Sequence, residues 1–144
     1  MHILHFSTSD KIGGSAKSAS RIHNGLNNKG ICSRMFVCDK SSNDKDIKEV
    51  SRNKFMKKFD YYSNKILQKF GIQYGFIPSS INLHNHPWII DADIIQLFNI
   101  HGGYFSFNLF NKIARTKPIV WRLSDLWPIT GHCAYPVNCD KWIE

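Results

Sequence analysis

The 144-residue sequence holds no apolar run approaching the ~20 residues that a helix needs to cross a bilayer. Its opening, MHILHFS, is too short for a secretory signal and lacks the basic start of one. A cytoplasmic location is the expectation. Cysteine is scarce: Cys32, Cys38, Cys133 and Cys139 are too few to staple a chain of this size, so free thiols are expected. Acidic residues are also in short supply, 11 Asp and Glu against 19 Lys and Arg, which leaves a formal charge of +8. That surplus favours an anionic partner, whether nucleotide phosphate, nucleic acid or lipid headgroup. Two glycine fingerprints are missing, the G-x-G-x-x-G of dinucleotide sites and the G-x-x-x-x-G-K-[ST] of P-loops. So are solenoid repeats and low-complexity tracts.

What is present is core material. Hydrophobic residues make up 42% of the chain and aromatics 13%, against 21% charged, a balance that folds rather than stays disordered. The length fits one domain, able to bury about two thirds of its unfolded surface.

Residues 2–6 (HILHF) read as a buried strand running into a polar loop and Gly13-Gly14. A helix follows, with Ser15 as N-cap, with Ala16, Ala19, Ile22 or His23, and Leu26 at helical spacing, and with Gly30 as the stop. Residues 33–38 (SRMFVC) give a second strand, completing a βαβ unit of a parallel sheet. Past the polar loop 39–46 the composition shifts. Phe55, Phe59, Tyr62, Ile66 and Phe70 form an apolar helical stripe ending at Gly71, and residues 45–71 contribute +5 of the total charge. Residues 74–91, rich in Pro, Ser, Asn and His, read as an irregular connection with at most short strand pieces. Residues 93–98 (DIIQLF) are the next strand, Gly102-Gly103 a turn, and residues 105–113 a helix with Phe105, Leu109, Phe110 and Ile113 inward. Residues 118–123 (PIVWRL) form another strand, so strand and helix alternate again. Beyond Ser124 no period is visible.

Four places carry chemistry-bearing residues. Gly13-Gly14 stands between strand and helix, where glycine backbone and helix N–H groups suit a phosphate, and where a tight turn with no ligand reads equally well. Lys17 and Arg21, one helical turn apart, are candidates to reach an anionic group or are solvated surface side chains. Ser124-Asp125 follows a strand, the position where open α/β sheets bind ligands. Asp125 reads either as an acid/base or hydroxyl-orienting group or as an Asx turn or N-cap. Asn99 and His101 lie in the loop after another strand, whereas His5 reads as a satisfied core histidine. Cys133 and Cys139, with His132 as a third whose neighbour Cys133 points poorly at the same ion, fall short of the four ligands of a zinc site, and no metal is expected to be held within this chain. The aromatic stripe of the basic helix reads as a core or domain-packing face and its lysines as a solvated face; docking on an anionic membrane is the rival reading. Nucleic acid is not an expected partner, since no recognised motif or basic-aromatic platform is present.

The segments ILHFSTSD, GGSAKSASRIHNGL, ADIIQLFNIHGGYFS and above all KPIVWRLSDLWPITGHCAYPVNCDKW resemble the N-terminal half of bacterial family 4 glycosyltransferases, the group that builds exopolysaccharide, colanic acid and O-antigen. The resemblance covers about residues 1–40 and 90–144 and leaves the basic segment at about 45–71 as an insertion. It implies an α/β, Rossmann-like parallel sheet with flanking helices, the acceptor-side half of a GT-B enzyme whose C-terminal donor-binding domain is absent here. It implies retaining transfer from a nucleotide-diphosphate sugar to a saccharide or lipid-linked saccharide, without a cofactor or divalent metal. By position, Gly13 and Gly14 would lie near the donor diphosphate, Lys17, Arg21, Asn99 and His101 on the acceptor side, and Ser124 and Asp125 at the reacting centre. Relatives often carry His-Asp where this chain has Ser124-Asp125, and His where it has Gln96, so a role for that histidine does not transfer. On this reading the chain alone is inactive. The alternatives are a non-catalytic domain that docks on membrane or partner through the basic helix, and a small protein binding a free nucleotide.

Overall fold

Strands form where β-branched and aromatic residues cluster, because such side chains pack well on a pleated, buried surface. In the computed structural model, which describes residues 1–51, 53–130 and 133–138, β1 (His2–Ser9) leads through α1 (Gly14–Asn28) to β2 (Cys32–Asp39). A three-residue edge strand, β3 (Ile47–Glu49), follows, then α2 (Lys54–Gln68), 3-10 turns at Pro78–Ser80 and Leu83–Asn85, and the short α3 (Pro87–Ile90). The chain ends its regular part with β4 (Ile94–Leu97), α4 (Phe107–Ala114) and β5 (Ile119–Trp121). The sheet order is β3-β2-β1-β4-β5, with every pairing parallel. The fold is therefore α/β and consistent with a Rossmann-like sheet flanked by helices.

Alternation along the strands sorts the core into two layers. On one face Leu4, Phe6, Phe36, Ile95 and Leu97 pack with Phe105, Leu109 and Ile113; the Phe6 ring lies 5.6 Å from Phe36 and 4.9 Å from Phe105. On the other, Met35, Val37, Ile47 and Phe98 pack with Ala19 and Ile22 of α1. Small residues at Ala16 and Ala19, both buried, let α1 approach the sheet closely.

Beneath α1 sits a fully buried polar chain. His5 Nε2 lies 2.8 Å from Ser33 Oγ, and the same hydroxyl lies 2.9 Å from His23 Nδ1. Ser33 has one proton to give, so at least one ring must donate to it. His5 is the expected core histidine, yet only half satisfied: its Nδ1 has no hydrogen-bond partner. Burial, reinforced by neighbouring His23 and outweighing Gln96, lowers its pKa from 6.5 to about 4.

Several sequence expectations need correction. Ser15 does not cap α1; Gly13 occupies that position with no side-chain cap. β3 emerges inside the segment read as entirely loop and helix. Residues 74–91 are the irregular connection expected, with two 3-10 turns and the short α3 in it. Phe105 is buried but precedes α4, whose N-cap is Ser106, its hydroxyl oxygen accepting from Leu109 N at 3.1 Å. The largest change concerns α2. Its stripe points outward: Phe55 is 74% exposed, Phe59 51%, Ile66 58% and Phe70 74%. Polar side chains anchor the other face. The Asp60 carboxylate, buried, accepts from Ser51 Oγ at 2.6 Å and Ser79 N at 2.9 Å, and Asn64 Oδ1 accepts from Tyr74 N at 2.9 Å. Lys57 Nζ reaches Asp39 and Glu49, each at 2.9 Å. Those fixed polar groups decide the rotation of the helix, and periodicity alone carries no information about which face is turned inward.

Candidate functional site

β1 sits between β2 and β4, and the connections leaving β1 and β4 run in opposite directions along the sheet. That reversal opens a crevice beyond the carboxyl ends of the central strands, the place where open parallel sheets bind ligands. An open cleft of about 580 Å³ lies there, lined among others by Thr8, Gly13, Gly14, Ser15, Asn99, Arg122 and Ser124.

The loop from β1 turns into α1 at Gly13, whose φ of 95° is costly for any residue with a Cβ. A Cβ built at Gly13 or Gly14 meets nothing within 4 Å, so the backbone faces open space. The first turn of α1 contains no acidic residue and no side-chain cap, which leaves its N–H groups and partial positive charge uncompensated. Ser15 turns sideways. Its hydroxyl donates to Asn99 Oδ1 at 3.2 Å and lies 2.9 Å from Ser124 Oγ.

Asn99 relays the network. Its Nδ2 donates to Asp125 Oδ2 at 3.2 Å, and its backbone carbonyl accepts from the buried Tyr104 hydroxyl at 2.8 Å. Burial holds the Tyr104 phenol well above its ordinary pKa, so it serves as a fixed donor. Asp125 Oδ2 also lies 2.9 Å from His101 Nε2, while Oδ1 accepts from Trp127 N at 3.1 Å. Asp125 therefore forms an Asx turn, and the same carboxylate faces a histidine. The His101 side chain is 29% exposed and that of Asp125 only 6%. A carboxylate at Nε2 fixes the proton there and leaves the Nδ1 lone pair to accept one. The His101 ring packs 5.4 Å from Trp127.

One hydrogen-bonded chain thus runs from the start of α1 across the ends of β4 and β5: Ser124, Ser15, Asn99, Asp125, His101. Asn99, Leu123 and Ser124 border both the cleft and the narrower hollow that holds His101 and Asp125. Gly13, Gly14, Asn99, His101, Ser124 and Asp125 are brought together as the sequence suggested. Lys17 and Arg21 are not; both are exposed on α1 and neither lines the cleft. Cys133 is exposed, and Cys139 and His132 lie outside the described residues. Among the described residues no three His, Cys, Asp or Glu side chains cluster as metal ligands.

Arg122 was overlooked by sequence reasoning. It follows β5 directly, donates its backbone N–H to Leu97 O at 2.9 Å, and lines the cleft, its guanidinium carbon 5.8 Å from the Phe98 ring centroid. Its position one residue past a strand was the available signal. The cleft can thus hold an anion between the α1 N-terminus and Arg122, with a proton-accepting imidazole close by. A larger groove, about 690 Å³, lies between β3, α2 and the 3-10 turns, and two of its lining residues, Glu49 and Ser79, are held by Lys57 and Asp60.

Comparison with protein-family models, with curated proteins and with solved structures returned no match.

Proposed function

We propose that this chain is the acceptor-side half of a sugar transferase, which passes a glycosyl unit from a nucleotide-diphosphate sugar to a hydroxyl of a saccharide or lipid-linked saccharide. The observation that carries the reading is the single network at the switch point, which joins an anion-receptive helix start to a carboxylate-paired histidine. The family 4 resemblance of residues 1–40 and 90–144 supports the same assignment.

In this reading the donor diphosphate lies against Gly13 and Gly14, and Arg122 offsets its charge. The acceptor hydroxyl lies toward His101, whose Nδ1 takes up the proton as the acceptor oxygen bonds to the anomeric carbon; the bond from that carbon to the diphosphate breaks, its electron pair leaving with the nucleoside diphosphate held at Gly13, Gly14 and Arg122, while Asp125 steadies the imidazolium. Asn99 and Ser15 hold that carboxylate in register with the helix start. A second Rossmann-like domain, which the resemblance implies, supplies the other wall of the cleft, so the chain alone binds substrate without turning it over.

The test is titration of the chain with UDP- and GDP-sugars, followed by amide chemical shifts and calorimetry. Shifts confined to Gly13, Gly14, Ser15 and Arg122, and weakened at least tenfold by Arg122→Ala, are expected for a charged hydrogen bond to phosphate. Micromolar binding of NAD or ATP in preference to nucleotide sugars overturns the reading. Rapid sugar transfer by the isolated chain overturns its description as half an enzyme.

A further inference from the structure

The outward face of α2 is the most unusual surface of the molecule. Along its 15 residues the helix shows solvent a continuous ridge of Phe55, Phe59, Tyr62 and Ile66, extended past its end by exposed Phe70, Ile72 and Phe76. Isolated exposed apolar side chains are ordinary, but a contiguous ridge of this kind marks a binding surface. Placed at 100° per residue, Lys54, Lys58, Lys65 and Lys69 fall together along one flank of that ridge, beside exposed Tyr61. Among the described residues, none of these four lysines has a carboxylate within ion-pairing distance. The acidic residue of the helix, Asp60, is turned inward, and Glu49 and Asp39 are engaged by Lys57.

We propose that α2 is an interfacial helix, which lies in the headgroup layer of a bilayer containing anionic lipid, with its aromatic ridge buried and its lysines on the phosphates. The chemistry fits each part. Phenylalanine and isoleucine enter the acyl boundary, the tyrosines place apolar rings and polar tips at headgroup level, and lysine stems reach upward to the charged surface. No helix among the described residues is long and apolar enough to cross a membrane, so this one lies on it.

A second copy of the chain fits less well. Paired antiparallel about a twofold axis that crosses the helices, two such faces would set lysines against lysines with no carboxylate between them. The ridge, about 22 Å long at 1.5 Å per residue and one helix wide, also falls short of the roughly 800 Å² per partner that a stable dimer buries. This inference stands on α2 alone and is independent of the sugar-transfer reading.

The experiment is co-sedimentation of the full chain with sucrose-loaded vesicles of phosphatidylcholine, with and without about one third phosphatidylglycerol. Binding to the anionic vesicles alone, lost in about 0.5 M NaCl, is the expected result. Lys58→Gln with Lys65→Gln weakens it about 30-fold, from roughly fivefold per lysine near an anionic surface. Phe59→Ser with Ile66→Ser weakens it at least tenfold through lost apolar insertion. All four positions are exposed, so the circular dichroism of the variants matches the parent and shows the helix still folded. Equal binding to neutral vesicles, binding indifferent to salt or to both double variants, or no binding at all overturns the proposal. So does sedimentation equilibrium showing a dimer that Phe59→Ser with Ile66→Ser dissolves.

Discussion

Buried polar atoms set the sensitivities of individual residues. Asp125 satisfies three donors while almost fully enclosed, so Asp125→Ala strands them and costs about 1–3 kcal/mol in urea unfolding. Exposed Ser124→Ala changes stability by about 0.5 kcal/mol or less. His5 works through protonation. Its folded-state pKa of about 4 lies below the ordinary 6.5, so the folded state resists a proton that the unfolded chain takes up. Its contribution is fully present above pH 6.5 and is lost as pH falls from there toward 4, a total on the order of 3 kcal/mol. Melting curves across that window will fall steeply for the parent and more gently for His5→Leu. Cys38 is pushed up to about 11 by burial and by adjacent Asp39, and it stays a thiol at neutral pH. Peptide mapping after brief iodoacetamide treatment at pH 7.5 will find exposed Cys133 alkylated well ahead of it.

Elements depend on what holds their ends and their rotation. Gly13→Ala forces a Cβ into a left-handed turn and costs about 1–2 kcal/mol, read as a lowered urea midpoint with unchanged slope. Asp60 is the peg of α2. Asp60→Ala frees Ser51 and the Ser79 amide, and amide exchange over 54–68 should accelerate while β1 stays protected. How far these elements were legible differs for physical reasons. β1, α1 and β2 were plain, because a buried strand, a glycine turn and an amphipathic helix each leave a local pattern. β3 was not, since three residues, IKE, at a sheet edge carry no period. The stripe on α2 was visible, but its direction was set by Asp60, Asn64 and Lys57 meeting partners elsewhere in the chain. The site shows the same division. Gly13, Asn99 and Asp125 could be nominated as residues next to strand ends, whereas the pairing of His101 with a carboxylate 24 positions away required the fold.

Along the chain the charge is unevenly spread, with +5 of the +8 in residues 45–71. Self-repulsion of that kind weakens the compact state. Raising NaCl from about 20 to about 200 mM, which shortens the screening length, should therefore raise the melting temperature of the parent and raise it less for the Lys58→Gln, Lys65→Gln variant. The parallel sheet has a further consequence, for the chain as it is made. β1 pairs with β2 at once, but its other edge waits for β4, with Ile3 opposite Ile94. Residues 40–93 must be synthesised in between, about 3 to 11 s at ordinary rates of elongation. During that interval Leu4 and Phe6 stand on an open strand edge, the kind of surface on which nascent chains recruit chaperones or find one another. The strand at the floor of the crevice is thus the earliest of the five to be made and among the last to be sheltered.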